Sequence, residues 1–362
     1  MTSNRRFRIA VMPGDGIGTE VMDAALAVLE AAIGDDAGFA LDFEHLTAGA
    51  GAWRDTGTAM SEETFERAKA ADAVLLGAMG LPDVRYADGT EIAPQLDLRF
   101  RLGLYAGVRP VRALPGGARP LADPRGADID LVIVRESTEG LFASRGKGLV
   151  EDDRVARDTM VITRETCERL FDACFRLARR RKARGGRGKV TCVDKSNVFA
   201  SMAFFRKVFD ERAARYPDIE AAHHYVDAAA LDLVRRPWEF DVMVTENMFG
   251  DILSDLTAAL VGGMGMAPSA DIGDGHAVFQ PAHGSAPDIA GRGIANPLAA
   301  IQSAAMMLDW LGERHGVEAC AEAGRRIDAA VAAVLAAGSP RPADLGGADG
   351  TGDVTRAVVD AL

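Results

Sequence analysis

Two aspartates four residues apart, Asp251 and Asp255, lie in the stretch Asn247-Met248-Phe249-Gly250-Asp251-Ile252-Leu253-Ser254-Asp255. On a helix that spacing puts both carboxylates on one face, and Ile252, Leu253 and Leu256 flank them. Like charges a turn apart repel, so a fold that keeps both beside apolar neighbours generally supplies a cation. Carboxylates select a hard divalent ion, Mg²⁺ or Mn²⁺, over zinc. A solvated acidic face is the plain alternative. Asp227, which closes the run His223-His224-Tyr225-Val226-Asp227, is a candidate third ligand. Arg99, Arg109 and Arg135 stand at or near the ends of expected elements. Arginine grips carboxylates bidentately, although any one of the three alone reads equally as a salt-bridge residue. Lys195, in Asp194-Lys195-Ser196-Asn197, can serve as a general base if burial or neighbouring cations lower its pKa.

Two glycine-containing turns complete the inventory. Gly14-Asp15-Gly16-Ile17-Gly18 invites a dinucleotide fingerprint, but Thr19 stands where the third glycine is required. His283-Gly284-Ser285-Ala286-Pro287-Asp288 is a small-residue turn whose backbone can approach a ligand closely.

The elements that must position these residues alternate between strand and helix patterns, which predicts a layered α/β fold. Arg8 to Met12 forms a first strand, and Val21, Ala25, Val28 and Leu29 keep the period of an amphipathic helix. Ser61 before Glu62 and Glu63 is an N-cap signal. Further strands are expected at Ala73 to Met79, Asp130 to Val134, Lys189 to Val193, Ile219 to Val226 and Phe240 to Thr245. A helix from Thr163 buries Cys167 and Cys174 on its apolar face, and Asn296-Pro297 opens a long helix. The basic run Arg179 to Lys182, with Arg184, Arg187 and Lys189, is expected to be a solvated helix C-terminus rather than a phosphate or nucleic-acid patch.

Composition bounds the function classes. The 362 residues carry 41 Lys and Arg against 53 Asp and Glu, a net charge of −12, and are 48 % hydrophobic. That excludes global disorder and argues against general binding to nucleic acid or to an anionic membrane. Four scattered cysteines without metal spacing suit a reducing cytoplasm, and no apolar stretch reaches the length of a signal peptide core or a membrane span. The expected setting is cytoplasmic.

Together these motifs resemble the β-decarboxylating dehydrogenase family of isopropylmalate, isocitrate, homoisocitrate, tartrate and D-malate dehydrogenases. The resemblance runs from Pro13-Gly14-Asp15-Gly16-Ile17-Gly18 to Asp344-Leu345-Gly346-Gly347. Its most specific segments are Thr245 to Asp255 and His283 to Gly291. It implies a two-domain α/β fold with non-Rossmann dinucleotide binding. The first domain would be built from residues 1–104 and 262–362, and the second, dimerising domain from residues 105–261. It further implies that Arg99, Arg109 and Arg135 clamp substrate carboxylates and that Asp251 and Asp255 ligate Mg²⁺ or Mn²⁺. Asp227 and Lys195 would reach the site from the other subunit of a homodimer, Lys195 acting in proton transfer at the 2-hydroxyl. The dinucleotide would lie along His283, Gly284, Ser285, Ala286 and Asp288, with Asn296 at the adenine and Ile17 and Asp344 as further contacts. A carboxylate at Asp288 can accept from ribose hydroxyls and repels a 2′-phosphate, which favours NAD over NADP. The implied reaction is NAD-dependent oxidative decarboxylation of a 3-substituted (2R)-malate, with an isopropyl substituent as the first expectation.

Two departures from the family pattern bear on that reaction. Phe142 stands where the family places the tyrosine that protonates the product, which leaves open a homologue with reduced catalysis. The stretch before Arg99, Ala93-Pro94-Gln95-Leu96-Asp97-Leu98, differs from the one in which isopropylmalate enzymes place leucines to hold the isopropyl group. Gln95 is polar there, so a polar substituent, as in isocitrate or homoisocitrate, stays open, as do tartrate and D-malate.

Overall fold

The computed structural model describes residues 5–34 and 38–362. In the first part of the chain β1 (Arg5–Gly14), β2 (Phe39–His45) and β3 (Ala73–Ala78) alternate with α1 (Gly18–Ile33), α2 (Ala50–Thr56) and α3 (Glu62–Ala70). Next come α4 (Pro94–Leu102), β4 (Ala106–Arg112), β5 (Asp130–Glu136), a hairpin of β6 (Leu149–Glu151) and β7 (Val155–Arg157), and α5 (Arg164–Ala183). They are followed by β8 (Lys189–Asp194), α6 (Ala200–Ala213), β9 (Glu220–Tyr225), α7 (Val226–Arg235), β10 (Val242–Thr245) and α8 (Asn247–Ala259). The chain closes with β11 (Pro268–Ile272), β12 (Ala277–Pro281), α9 (Leu298–His315), α10 (Glu318–Ala337) and α11 (Thr351–Asp360).

Ten strands form one sheet in the order β2-β1-β3-β12-β11-β4-β5-β10-β8-β9. The two flanks are parallel, as helical crossovers require. In the middle β11 runs antiparallel to both β12 and β4, and β4 antiparallel to β5. This mixed α/β sheet is the fold class the alternating pattern predicts. Four apolar clusters cover its faces. On one face a cluster built from Phe7, Ile9, Val11, Phe279, Leu308 and Ile327 joins chain segments before residue 115 to segments after residue 265. Beside it, Phe171, Phe175, Phe205 and Phe209 pack onto Val132, Val134 and Val244. On the other face Met12, Phe65, Leu76 and Leu98 form one cluster, and Ile133, Val193, Leu233 and Leu253 another. The pleat therefore sends Arg109 and Val111 of β4 to the second face and Ala106 and Val108 to the first.

Local signals act as the sequence leads one to expect. Ser61 Oγ accepts from Thr64 N at 3.0 Å, and the Thr163 hydroxyl caps α5 through Thr166 N at 3.3 Å. Asn296 Oδ1 accepts from Leu298 N at the start of α9. All four cysteines are buried and free. The basic run lies where it is expected. It is the largely exposed C-terminal end of α5, and in addition it forms ion pairs with acidic residues of neighbouring elements. Arg179 pairs with Asp218, Arg181 with Asp241 and Asp130, and Arg180 with Glu313 of α9. The ninth strand ends earlier than expected, at Tyr225, so Asp227 sits in the first turn of α7 instead of at a strand end. Among the described residues, no helix is long and apolar enough to cross a membrane.

Candidate active site

The site forms on the second face, at the seam between its two apolar clusters. Arg99 comes from the last turn of α4, Arg109 from β4 and Arg135 from the end of β5, and all three are buried. Register explains their convergence. Gly107 lies opposite both Arg135 of β5 and Asp271 of β11, so these positions and Arg109 share a face. With Phe142, Asp251, Ser254, Asp255, Gln280 and Ala282, the three arginines line a cavity of about 180 Å³.

Buried guanidiniums need partners, and each has one. Arg135 donates through Nε and Nη2 to Asn247 Oδ1 at 2.9 and 2.7 Å, and its Nη1 pairs with Asp251. Arg99 Nε donates to Asp271 Oδ2 at 2.9 Å, and Arg109 Nη2 lies 3.6 Å from Asp271 Oδ1. Burial pulls the Arg109 guanidinium down to about 10, with Asp271 acting against it, so it remains charged at neutral pH. Burial opposes the charge on Asp271, but Arg99 and Arg109 outweigh it and hold the carboxylate below its ordinary range. One donor is left over: Arg109 Nη1 is buried without a partner.

The acidic pair reaches the cavity on α8. Glu246 caps this helix, accepting from Phe249 N at 2.7 Å and Met248 N at 3.1 Å. Gly250 lets the helix lie against β5: a Cβ there would come within 2.6 Å of Arg135 Cβ. Asp251 and Asp255 then face the cavity one turn apart. Burial, followed by the charge of Asp251, pushes the Asp255 carboxyl up. A carboxylate pair strained in this way suits a cation, and the pair has no sulfur or imidazole beside it in the lining.

Lys195 and Asp227 are not in this cavity. They pair with each other, Nζ to Oδ1 at 2.5 Å, and that hydrogen bond holds Asp227 below its usual range. Among the described residues of one chain, no group of three or more His, Cys, Asp or Glu is placed to hold a metal ion.

The proposed dinucleotide residues come together at a second locus. Ile17 N donates to Ser285 O at 2.8 Å, and a Cβ at Gly16 would meet Ser285 O at 2.0 Å. The glycine turn is thus needed for backbone to approach backbone. Asp15 ties it down, accepting from the N–H groups of Ala50, Gly51 and Gly80 at 2.7, 2.7 and 2.8 Å. Ala286 holds a left-handed φ of +35°, a conformation that costs energy for a residue with a Cβ. Asp288 is exposed at the end of the loop. Asn296 Nδ2 donates to Asp344 at 3.1 Å. His283 donates from Nδ1 to Gly284 O, since a carbonyl can only accept, which leaves Nε2 as a buried acceptor without a partner. Burial lowers the His283 pKa, so the ring is neutral. Gln95, in the first turn of α4, likewise has a buried Oε1 without a partner.

Sequence reasoning missed the residues that hold the clamp in place. Asn247 and Gly250 lie inside the quoted acidic segment, where their contacts to Arg135 carried no local signal. Asp271 and Gln280 lie in no motif, and only strand register brings them to the arginines.

Comparison with known proteins gives a consistent result. The isocitrate/isopropylmalate dehydrogenase family model matches residues 8–361. A 3-isopropylmalate/3-methylmalate dehydrogenase of Methanocaldococcus jannaschii is 46 % identical over 343 residues, 94 % of each chain. An isocitrate/homoisocitrate dehydrogenase of Thermus thermophilus is 45 % identical over 358 residues, 98 % of each. The crystal structure of an isocitrate dehydrogenase from Methylococcus capsulatus superposes with a TM-score of 0.85 at 38 % identity. That match covers 98 % of this chain and 99 % of the other.

Proposed function

The chain belongs to the isocitrate/isopropylmalate dehydrogenase family, and from that premise we propose which residues carry its reaction, with which cofactors and on which substrate. The family and its relatives make it a decarboxylating hydroxy-acid dehydrogenase acting on a 3-substituted malate. The observation that carries the rest is the small cavity in which three buried arginines face two aspartates on one helix.

Arg99, Arg109 and Arg135 bind the substrate carboxylates and hold C2 in one orientation, with Arg109 Nη1 as a donor waiting for an acceptor. Asp251 and Asp255, with Asp227 of a second copy, would hold Mg²⁺ or Mn²⁺; the strained carboxylate pair and the lack of soft ligands fit such an ion. Bound there, the ion supplies Lewis-acid polarisation of the substrate 2-oxygen. Lys195, also reaching the neighbouring copy's site, would take up the 2-hydroxyl proton, and a bound nicotinamide would supply the acceptor for the hydride of C2. The 2-keto acid then loses its β-carboxylate as CO₂, and the carbon left behind takes up a proton. Phe142 has no proton to give for that step, so water or another group supplies it, or the step is slow.

The dinucleotide is NAD. Its binding residues are Ile17, the His283 to Asp288 loop, Asn296 and Asp344. The unpartnered His283 Nε2 fits a hydroxyl or amino donor, and the exposed Asp288 favours ribose hydroxyls over a 2′-phosphate. The active unit is a homodimer. Leu231, Val234 and Ile252 are exposed on α7 and α8, and every residue of the β6–β7 hairpin is exposed, an isolated hairpin being marginal on its own. We propose the two-domain division of residues 1–104 with 262–362 and residues 105–261; the separate apolar clusters of the first face support it, although Leu114 packs with the first of them.

For the C3 substituent we favour the isopropyl group. The Gln95 amide, with its buried unpartnered Oε1, favours a polar substituent as the second reading. NADH formation with a panel of 3-substituted malates, including isocitrate, decides between them. The highest kcat/KM is expected with 3-isopropylmalate and NAD⁺. A preference for isocitrate selects the second reading, and a preference for NADP⁺ removes the role of Asp288.

A further inference from the structure

Asp271 is a carboxylate buried beside the cavity, with 1 % of its surface exposed. It sits at the centre of a polar network that contains two of the three arginines. Its Oδ2 accepts from Arg99 Nε at 2.9 Å and from Gln280 Nε2 at 3.2 Å, and its Oδ1 accepts from Ser137 Oγ at 3.3 Å with Arg109 Nη2 at 3.6 Å. Space for this carboxylate comes from the neighbouring strand. A Cβ at Gly107 would lie 2.6 Å from Ser137 Oγ and 3.1 Å from Asp271 Oδ1.

On the reading that the arginines bind the substrate carboxylates, we propose that Asp271 is a positioning residue for that binding. It locks Arg99 and Arg109 in the orientation a dicarboxylate requires. The physical reasons are charge and valence. Two buried guanidiniums facing one cavity repel, and each must be neutralised on its far side if its free donors are to point at a ligand. A carboxylate accepts from several donors at once and donates to none. Asp271 therefore engages Arg99 Nε and draws in Arg109 Nη2, so the buried Arg109 Nη1 is left for the substrate. It also fixes the Gln280 amide: with Nε2 held by Asp271, the Gln280 carbonyl is the end left for the cavity. An amide in place of Asp271 removes the negative charge and offers its one oxygen to only one of the two arginines, its NH₂ facing the other.

The test uses the full-length enzyme with its metal and NAD⁺. In Asp271→Asn the KM for the substituted malate is expected to rise roughly tenfold or more, while the KM for NAD⁺ stays within about twofold. A merely structural loss would lower the amount of folded enzyme without separating the two KM values. The double variant Asp271→Asn/Gln280→Glu exchanges carboxylate and amide across a single 3.2 Å contact. It is expected to bring the malate KM back toward that of the wild type, and it remains informative if the single variant fails to fold. An unchanged malate KM in folded Asp271→Asn, or a double variant that is folded yet no better than the single one, overturns the proposal. Calorimetric titration with D-malate in the presence of Mn²⁺ keeps the two readings apart. If the wild type binds D-malate but turns over none of the substituted malates, the functional reading fails. The loss of that binding in Asp271→Asn, or its persistence, then decides the role of Asp271 separately.

Discussion

Phe142 places its ring 4.9 Å from the Arg135 guanidinium carbon, in the cavity wall. General acid catalysis is typically worth roughly 10²–10⁴-fold on the step it serves, so the lack of an acid at this position is enough to make protonation limiting. Phe142→Tyr is expected to raise kcat on the native substrate and to change its solvent isotope effect. A lower rate with an unchanged isotope effect would mean that the ring shapes an apolar part of the pocket and that the added hydroxyl is buried unpaired, at about 1–3 kcal/mol. Asp255 makes a separate prediction at the same scale. Its carboxyl is pushed up by burial and by Asp251, a strain that a bound cation relieves. Chelation with EDTA should abolish turnover and Mn²⁺ should restore it. Asp255→Asn should raise the Mn²⁺ concentration for half-activation by roughly tenfold or more without lowering Tm. Full activity after rigorous chelation would remove the metal from the reaction.

At the scale of elements, helix placement decides which side of the sheet does the chemistry. The face opposite the active site has its own larger cavity of about 780 Å³, walled by α5, α9 and α10. Asp328 of α10 lies in that wall, and burial pushes its carboxyl up to about 6 from an ordinary 3.8, with Arg112 only partly offsetting this. The folded chain thus holds this proton more tightly than the unfolded chain does. The resulting stabilisation is fully present below about pH 4 and is lost as pH rises through about 6. Asp328→Asn should therefore raise Tm by roughly 2–4 °C at pH 8 and leave it nearly unchanged at pH 4. Calorimetric melts at the two pH values check this; an equal shift at both would show that the carboxylate charge is not the cause.

For the whole molecule, Lys195 and Asp227 are the informative pair. They bond to each other outside the cavity that their proposed roles require, while α7 and α8 expose Leu231, Val234 and Ile252 beside them. In the proposed homodimer, a second copy docks through that surface and the pair completes its neighbour's site. Lys195→Ala and Asp251→Asn should each be inactive alone. After subunit exchange at equal concentrations, half the dimers are mixed and each mixed dimer has one intact site. Activity should then recover to about a quarter of wild type. No recovery despite exchange, or a fully active monomer in sedimentation, would place the whole site within one chain.

The amino-acid sequence by itself determined those features whose causes are local. The period of Val21 to Leu29, the Ser61 and Thr163 caps, the buried cysteines of α5 and the spacing of Asp251 and Asp255 each depend on neighbours within a few residues. They were legible because helix period, capping and carboxylate spacing act over one or two turns. Motif resemblance extended that reading to the family and to the three arginines. Tertiary structure alone decided what depends on strand register and on charges meeting across elements. The basic run of α5 gained its ion pairs because Asp218, Asp241 and Glu313 arrive from elsewhere in the chain. Asp271 became the partner of Arg99 and Arg109 because β11 pairs antiparallel with β4, 172 residues separating it from Arg99. No local pattern marks such a residue. A buried carboxylate takes its meaning from the cations that the sheet brings to it, and register is set by the packing of whole faces.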